Sequence, residues 1–349
     1  MMRVLRALPP QFALIVPATV ILYLVSPLLA EGSVSGSSIL IVFSFASILA
    51  IAAIGQTLVI QQGGLDLSVP GVISLAAVLV TKYPDGDNSA LVPWIAVAIA
   101  CGFLSGLISG IAITRFRVTA LVATLAVNAL LYGTVLYLTK GTSTEAVPPM
   151  LSGFAVGRIY GIPYLAIFAL ALILLIEIGI RATVWGRRFV AVGVNARAAR
   201  AASLRVTSYK VATYAVAGAF YALSGVLLAG YLRVPSLLVG NSYLLPTITV
   251  VVLGGTSLLG GAGSVAATAI GAIFLVQLQQ VVIGMGAPTS AQFVIQAAII
   301  LLGMSLRVVP WRLLVDVIRG APAGARGVKR QLRPRQESIP SPGEPVRVR

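Results

Sequence analysis

The sequence predicts an all-α polytopic membrane protein of about 10 transmembrane helices, with both termini cytoplasmic. Three observations carry this. Of 349 residues, 58% are hydrophobic and only 10% are charged, where a soluble domain carries about one quarter charged residues. The mean hydropathy is +1.00, and the apolar residues fall in repeated runs close to the ~20 residues that cross a bilayer. The basic residues then alternate in density from one connection to the next.

Ten apolar segments are read, at 12–30, 38–60, 68–81, 91–113, 118–138, 162–180, 208–231, 241–253, 264–283 and 292–306. The first follows Arg3 and Arg6 and has no small-residue cleavage site, so a retained helix is expected rather than a signal peptide. With the N-terminus inside, the inner connections hold 21 Lys and Arg. Seven of these lie between Arg181 and Lys210, and ten from Arg307 onward. The outer connections hold only Lys82, Lys140, Arg158 and Arg233. That asymmetry follows the positive-inside rule, and dropping one span would place the seven-charge connection outside.

The expected organisation is one transmembrane domain over 1–307, with a cytoplasmic loop at 181–210. A basic, Pro- and Gly-rich tail follows at 308–349. The tail is expected to be disordered and suited to anionic lipid head groups. The net charge of +16 is therefore topological. No aromatic-interleaved basic surface accompanies it, which argues against nucleic acid. The absence of histidine excludes His-based catalysis, relays and metal ligation. Cys101 is the single cysteine, so no internal disulfide can form.

Between the second and third segments stands Gly63-Gly64-Leu65-Asp66-Leu67-Ser68-Val69-Pro70-Gly71. A carboxylate beside flexible backbone between apolar segments marks a functional site or hinge. Asp66 is expected to cap the helix that begins near Ser68. A second glycine-rich stretch runs Leu253-Gly254-Gly255-Thr256-Ser257-Leu258-Leu259-Gly260-Gly261-Ala262-Gly263-Ser264. It lacks Gly-Lys-Ser/Thr and reads as a packing turn, not a phosphate loop. Thr57 to Ser68 and Thr249 to Leu259 share a short likeness. Both pass from an apolar helix end through Gly-Gly to a small polar residue, which suggests short or broken helices at equivalent places.

The cytoplasmic loop contains Gly186, Gly193, Asn195, Arg197, Ala198, Ala199 and Arg200. Asn195 is a good helix N-cap, and the alanines after it favour helix. A short helix of small side chains with arginines suits a groove with acidic rims. Polar residues inside the spans are Gln56, Asn128, Gln277, Gln279, Gln280, Gln292 and Gln296. Each either bonds a neighbouring helix or lines a wet path. Gln277 and Gln280 are three apart and share a face, which with Asn128 makes them candidates for a pathway lining.

Four stretches resemble the permease subunits of bacterial ABC importers of the ribose and branched-chain amino acid permease superfamily. They are Ile54-Gly55-Gln56-Thr57-Leu58-Val59-Ile60, Gly63 to Val69, the loop Gly186 to Leu204, and Val252 to Ser264. The likeness covers roughly 12–307. The resemblance implies a ribose-type sugar importer permease in the cell inner membrane, carrying a sugar or polyol inward by alternating access. It implies a second permease copy or paralogue, cytoplasmic ABC ATPases that bind ATP and Mg, and an extracytoplasmic sugar-binding protein. This chain itself is then not an enzyme and holds no cofactor. The loop from Gly186 to Leu204 would carry the coupling helix. Gln56, Gly63, Gly64, Asp66, Ser68, Gly254, Gly255 and Thr256 would form the pathway or hinge. Two positions depart from the family: Arg197 where an acidic residue is common, and Pro70 where glycine is usual.

The alternative is a stand-alone ion-coupled carrier of a small polar solute, for which Asp66 and Glu177 are the only intramembrane carboxylates. An intramembrane enzyme is disfavoured by the missing histidines and the lack of paired carboxylates.

Overall fold

A computed structural model of the chain describes residues 12–142 and 146–308. The tail beyond 308, expected to be disordered, lies outside the described residues. The helices are α1 (Phe12–Leu29), α2 (Gly36–Gln61), α3 (Val69–Lys82), α4 (Asn88–Arg115), α5 (Ala120–Thr139) and α6 (Pro149–Val156). They continue with α7 (Tyr164–Ala182), α8 (Val184–Val194), α9 (Ala196–Ala201), α10 (Val206–Leu232), α11 (Leu244–Leu253), α12 (Val265–Gly284) and α13 (Thr289–Val308). A 3-10 turn, Val239–Tyr243, leads into α11. Residues 1–303 form one unit and 304–349 a second.

Every apolar segment read from the sequence lies on a helix. Six of these (α2, α4, α5, α7, α10 and α12) are long and apolar enough to cross a membrane. The all-α membrane class therefore stands, with short apolar helices at α1, α3 and Val239–Leu253. One small difference is a two-residue ribbon that pairs Arg158 with Pro163. Its turn residues Tyr160 and Gly161 both have positive φ, 47° and 80°, as the tightest hairpin turns require.

The core sits around α2, α3 and α10. From Ala46 to Gln61 every residue of α2 is buried, and a helix apolar on all sides belongs in the middle of a bundle. The outer helices do the reverse. Leu130 of α5 is 70% exposed and Leu175 of α7 65%, a large apolar surface that lipid covers.

Close helix approach holds the bundle together. Gly102, Gly106 and Gly110 form an i, i+4, i+8 stripe on α4 facing α10. A Cβ on Gly106 would lie 2.0 Å from the Tyr214 carbonyl oxygen, and one on Gly218 2.0 Å from that of Gly102. Lipid tails are as apolar as leucine, so association of membrane helices relies on such backbone contact. Between α2 and α10, the Ser224 hydroxyl donates to the Ile48 carbonyl at 2.9 Å and the Tyr221 hydroxyl to Gln56 Oε1 at 2.8 Å.

Candidate functional site: a glycine junction at one end of the bundle

The two Gly-Gly stretches end their helices in the same way. At α2, Gly63 N donates to the Ile60 carbonyl and Gly64 N to Val59. At α11, Gly255 N donates to Val252 and Thr256 N to Val251. Gly63 and Gly255 have φ of 71° and 87°. This is the Schellman C-cap, in which the left-handed residue is usually glycine. The paired glycines have a separate, steric cause. A Cβ on Gly64 would meet the Tyr214 hydroxyl at 2.3 Å, and one on Gly254 the Thr268 backbone at 2.5 Å.

The segment after Gly64 is pinned from several sides. Asp66 is fully buried. Its Oδ1 accepts from Ser68 N at 2.9 Å and from the Ser68 hydroxyl at 2.6 Å. Asp66 thus holds the amide of Ser68, where α3 begins; Ser68, at the N-cap position with helical φ and ψ, makes no side-chain cap itself. Pro70 has no amide hydrogen, and the Gly71 amide is taken at 2.8 Å by Asn128 Oδ1. A second cap thus comes from α5. Thr124 of the same helix accepts from Leu67 N at 3.1 Å.

Between α7 and α10 the chain folds as two short helices. The Thr183 hydroxyl accepts from Gly186 N at 3.0 Å and starts α8. Gly186 is tight there, since a Cβ would lie 2.1 Å from the Ile180 carbonyl oxygen. Asn195 Oδ1 accepts from Arg197 N and Ala198 N, both at 3.0 Å, and starts α9. Ala199 is buried against Val192 and Val206. Arg197, Ala198 and Arg200 are exposed.

These pieces meet. Gly261 N donates to the Gln61 carbonyl at 2.8 Å. A Cβ on Gly193 would sit 2.1 Å from that same oxygen and 3.2 Å from Gly261 N. Gln62 Nε2 donates to the Phe189 carbonyl at 2.7 Å. The end of α2, the end of α8 and the second glycine loop thus form one junction, with Leu259 at 94% exposure on that loop. Beside it opens a cleft of about 640 Å³ lined by Gln61, Glu177, Arg181, Arg187 and Gly261.

Glu177 closes the junction from α7. It accepts from the Ser264 hydroxyl at 3.0 Å, Val265 N at 2.8 Å and Ala266 N at 3.2 Å, and pairs with Arg181 at 2.6 Å. A carboxylate at the N-terminus of α12 meets both its free amides and its positive dipole end.

The other polar residues divide. Gln56 joins Tyr221 in the core. Gln277 is buried, and its amide donates to the Ser26 hydroxyl at 3.0 Å. Gln280 instead lines a cavity at the far end of α12. Thr256 is buried, with no hydrogen-bond partner for its hydroxyl among the described residues. Among the described residues no cluster of three or more His, Cys, Asp or Glu forms.

Sequence reading missed Gln61, Gln62 and the Gly102, Gly106 and Gly110 stripe. The stripe had a legible signal, small residues every fourth position. Gln61 acts through its main chain, and Gln62 reaches a residue 127 positions away; neither leaves a local mark.

Residues 38–304 match the family described as branched-chain amino acid transport system, permease component. The chain belongs to that family. Among its relatives is the autoinducer 2 import system permease protein LsrC of Yersinia pseudotuberculosis serotype O:1b, 32% identical over 242 residues, 69% of each chain. The LsrC protein of Salmonella typhimurium is 31% identical over 266 residues, 76% of each chain. That of Salmonella typhi is 32% identical over 249 residues, 71% of this chain and 72% of its own. No solved structure matches. The protein is an ABC transporter permease of the ribose and branched-chain superfamily, a transport component of the inner membrane.

Proposed function

We propose that this permease carries a sugar, or a related polyol, into the cytoplasm by alternating access, driven by an ABC ATPase that binds ATP and Mg. The relatives' import of autoinducer 2 adds that molecule to the candidate cargoes. The observation that carries the reading is the junction. It joins the loop bearing α9 to the broken link between α2 and α3, so a push on α9 reaches the bundle interior through Phe189–Gln62 and Gly193–Gln61. Hydrolysis drives transport only if the ATPase contacts the two states of the permease differently, and the exposed Arg197, Ala198 and Arg200 offer that contact.

The ten-span topology completes the reading. The shorter α1, α3 and α11, with α13, join the six longer helices. The transmembrane domain covers 1–307, and the basic tail 308–349 follows on the cytoplasmic side. A second permease, as copy or paralogue, forms the other wall of the pathway, and an extracytoplasmic binding protein delivers the cargo. The ion-coupled carrier recedes, because the family is one of ABC permeases and Glu177 is fully engaged within the fold.

The deciding experiment is purification from detergent-solubilised native membrane with mass spectrometry of what accompanies the chain. An ATPase and a binding protein are expected. Recovery of the chain alone, under conditions that keep a known importer intact, overturns the reading.

A further inference from the structure

At the other end of the bundle from the junction, a cavity of about 300 Å³ opens between α2, α11, α12 and α13. Gln279 and Gln280 line it from α12, and Gln292 and Gln296 from α13. Four of the intramembrane glutamines thus converge on one space. Phe45 and Tyr243 form part of its apolar wall. The Phe45 ring is held edge-on by Tyr231, with centroids 4.9 Å apart.

An amide at membrane depth is costly unless it bonds a neighbour or meets a polar ligand or water. Gln296 is only 3% exposed, yet its Oε1 has no hydrogen-bond partner among the described residues. A buried acceptor left in that state carries its desolvation penalty uncompensated. Lipid cannot relieve it, since a hydrocarbon chain brings no donor.

We infer that this cavity is a binding site for a small neutral polyhydroxylated molecule, held by the four glutamine amides against an aromatic wall. Each amide both donates and accepts, as a hydroxyl does. Among the described residues no Asp, Glu, Lys or Arg lines the cavity, so the ammonium and carboxylate of an amino acid would find no counter-charge. The volume lies at the small end of ligand pockets, roughly 300–1,000 Å³, which fits a single small sugar or polyol. Phe45 and Gln61 are 16 positions apart on α2, about 24 Å along the helix. α2 and α12 are both long enough to cross the membrane, so the cavity faces the side opposite the junction. On the proposed topology that is the side where cargo arrives. The inference rests on the import reading for direction and adds the place in the fold where such a cargo is held.

The test uses the full chain with its co-purifying partners in lipid nanodiscs. Ile283→Cys, on the cavity wall but outside the four amides, is placed in a Cys101→Ser background and labelled with a bulky charged maleimide that does not cross lipid. Gln277→Cys, buried against α1, is the control for the fold and is expected to stay unlabelled. Ile283→Cys is expected to react. D-Ribose or ribitol is expected to slow the reaction about tenfold at ~10 times its Kd, following 1 + [L]/Kd, and L-leucine to leave it unchanged. Adding Gln296→Leu is expected to abolish protection without changing the unprotected rate. Labelling that no pentose or polyol slows, protection by leucine as well, or an unreactive Ile283→Cys each overturns the inference. Protection in a chain that brings no ATPase would keep this site and remove the ATP-driven reading. An ATPase without protection does the opposite.

Discussion

The side-chain amide of Gln62 donates to the main-chain carbonyl of Phe189 at 2.7 Å, and both groups are buried. This bond ties the C-terminal end of α2 to α8, directly ahead of the exposed helix α9. Gln62→Leu removes this bond while the Phe189 carbonyl stays within the helix α8, at a net cost of about 0.5–1.5 kcal/mol. The expected result in the reconstituted importer is ATP hydrolysis that continues while uptake per ATP falls several-fold. An unchanged ratio of uptake to hydrolysis would show that force does not travel through this bond.

Gly193 and Gly179 make a matched pair. A Cβ on Gly193 would lie 2.1 Å from the Gln61 carbonyl oxygen, whereas one on Gly179 would meet nothing within 4 Å. Gly193→Ala is expected to destabilise by about 1–3 kcal/mol through overpacking. Gly179→Ala, within a helix, should be neutral or stabilise by up to ~1 kcal/mol. Thermal unfolding in detergent checks both, and equal melting temperatures would mean that the junction yields freely.

Arg181 and Glu177 form one ion pair but should not be equivalent. The Arg181 side chain is 55% exposed, so its removal is expected to cost under ~1 kcal/mol. Glu177→Ala also strips acceptors from Ser264, Val265 and Ala266, and should cost about 1–3 kcal/mol. Comparable losses in thermal stability for Arg181→Ala and Glu177→Ala would mean that the helix cap contributes nothing.

Arg197→Glu and Arg200→Glu change exposed side chains on a helix anchored by Ala199. Stability is expected to stay within about 0.5 kcal/mol. Coupling is expected to fall, with ATPase activity no longer matched to uptake. Normal coupling in both variants would remove α9 as the point of contact.

Gly106→Ala places a methyl group 2.0 Å from the Tyr214 carbonyl oxygen, where backbone must move. Assembly is expected to suffer, read as loss of monodisperse protein on size exclusion. Gly133→Ala on α5, with open space around it, is the control and should behave as the parent does.

Much of this protein is settled by sequence alone, where the cause is local or compositional. Apolar runs and sparse charge set the membrane class. The N-cap at Asn195 is legible because the side chain bonds amides two and three residues on. The glycine after each of two helix ends is legible because a left-handed cap favours that residue. Tertiary structure alone decides what these pieces do together. Gln61 and Gly261, or Gln62 and Phe189, meet only because helices far apart in sequence pack end to end. Gln277 and Gln280 share spacing but differ in surroundings, since a neighbouring helix covers one and a cavity reaches the other. Asn128 has the composition of a pathway residue, and packing brings it to the free Gly71 amide in the first turn of α3, because α5 lies within reach. Periodicity fixes which face a residue occupies, and only packing fixes what that face meets.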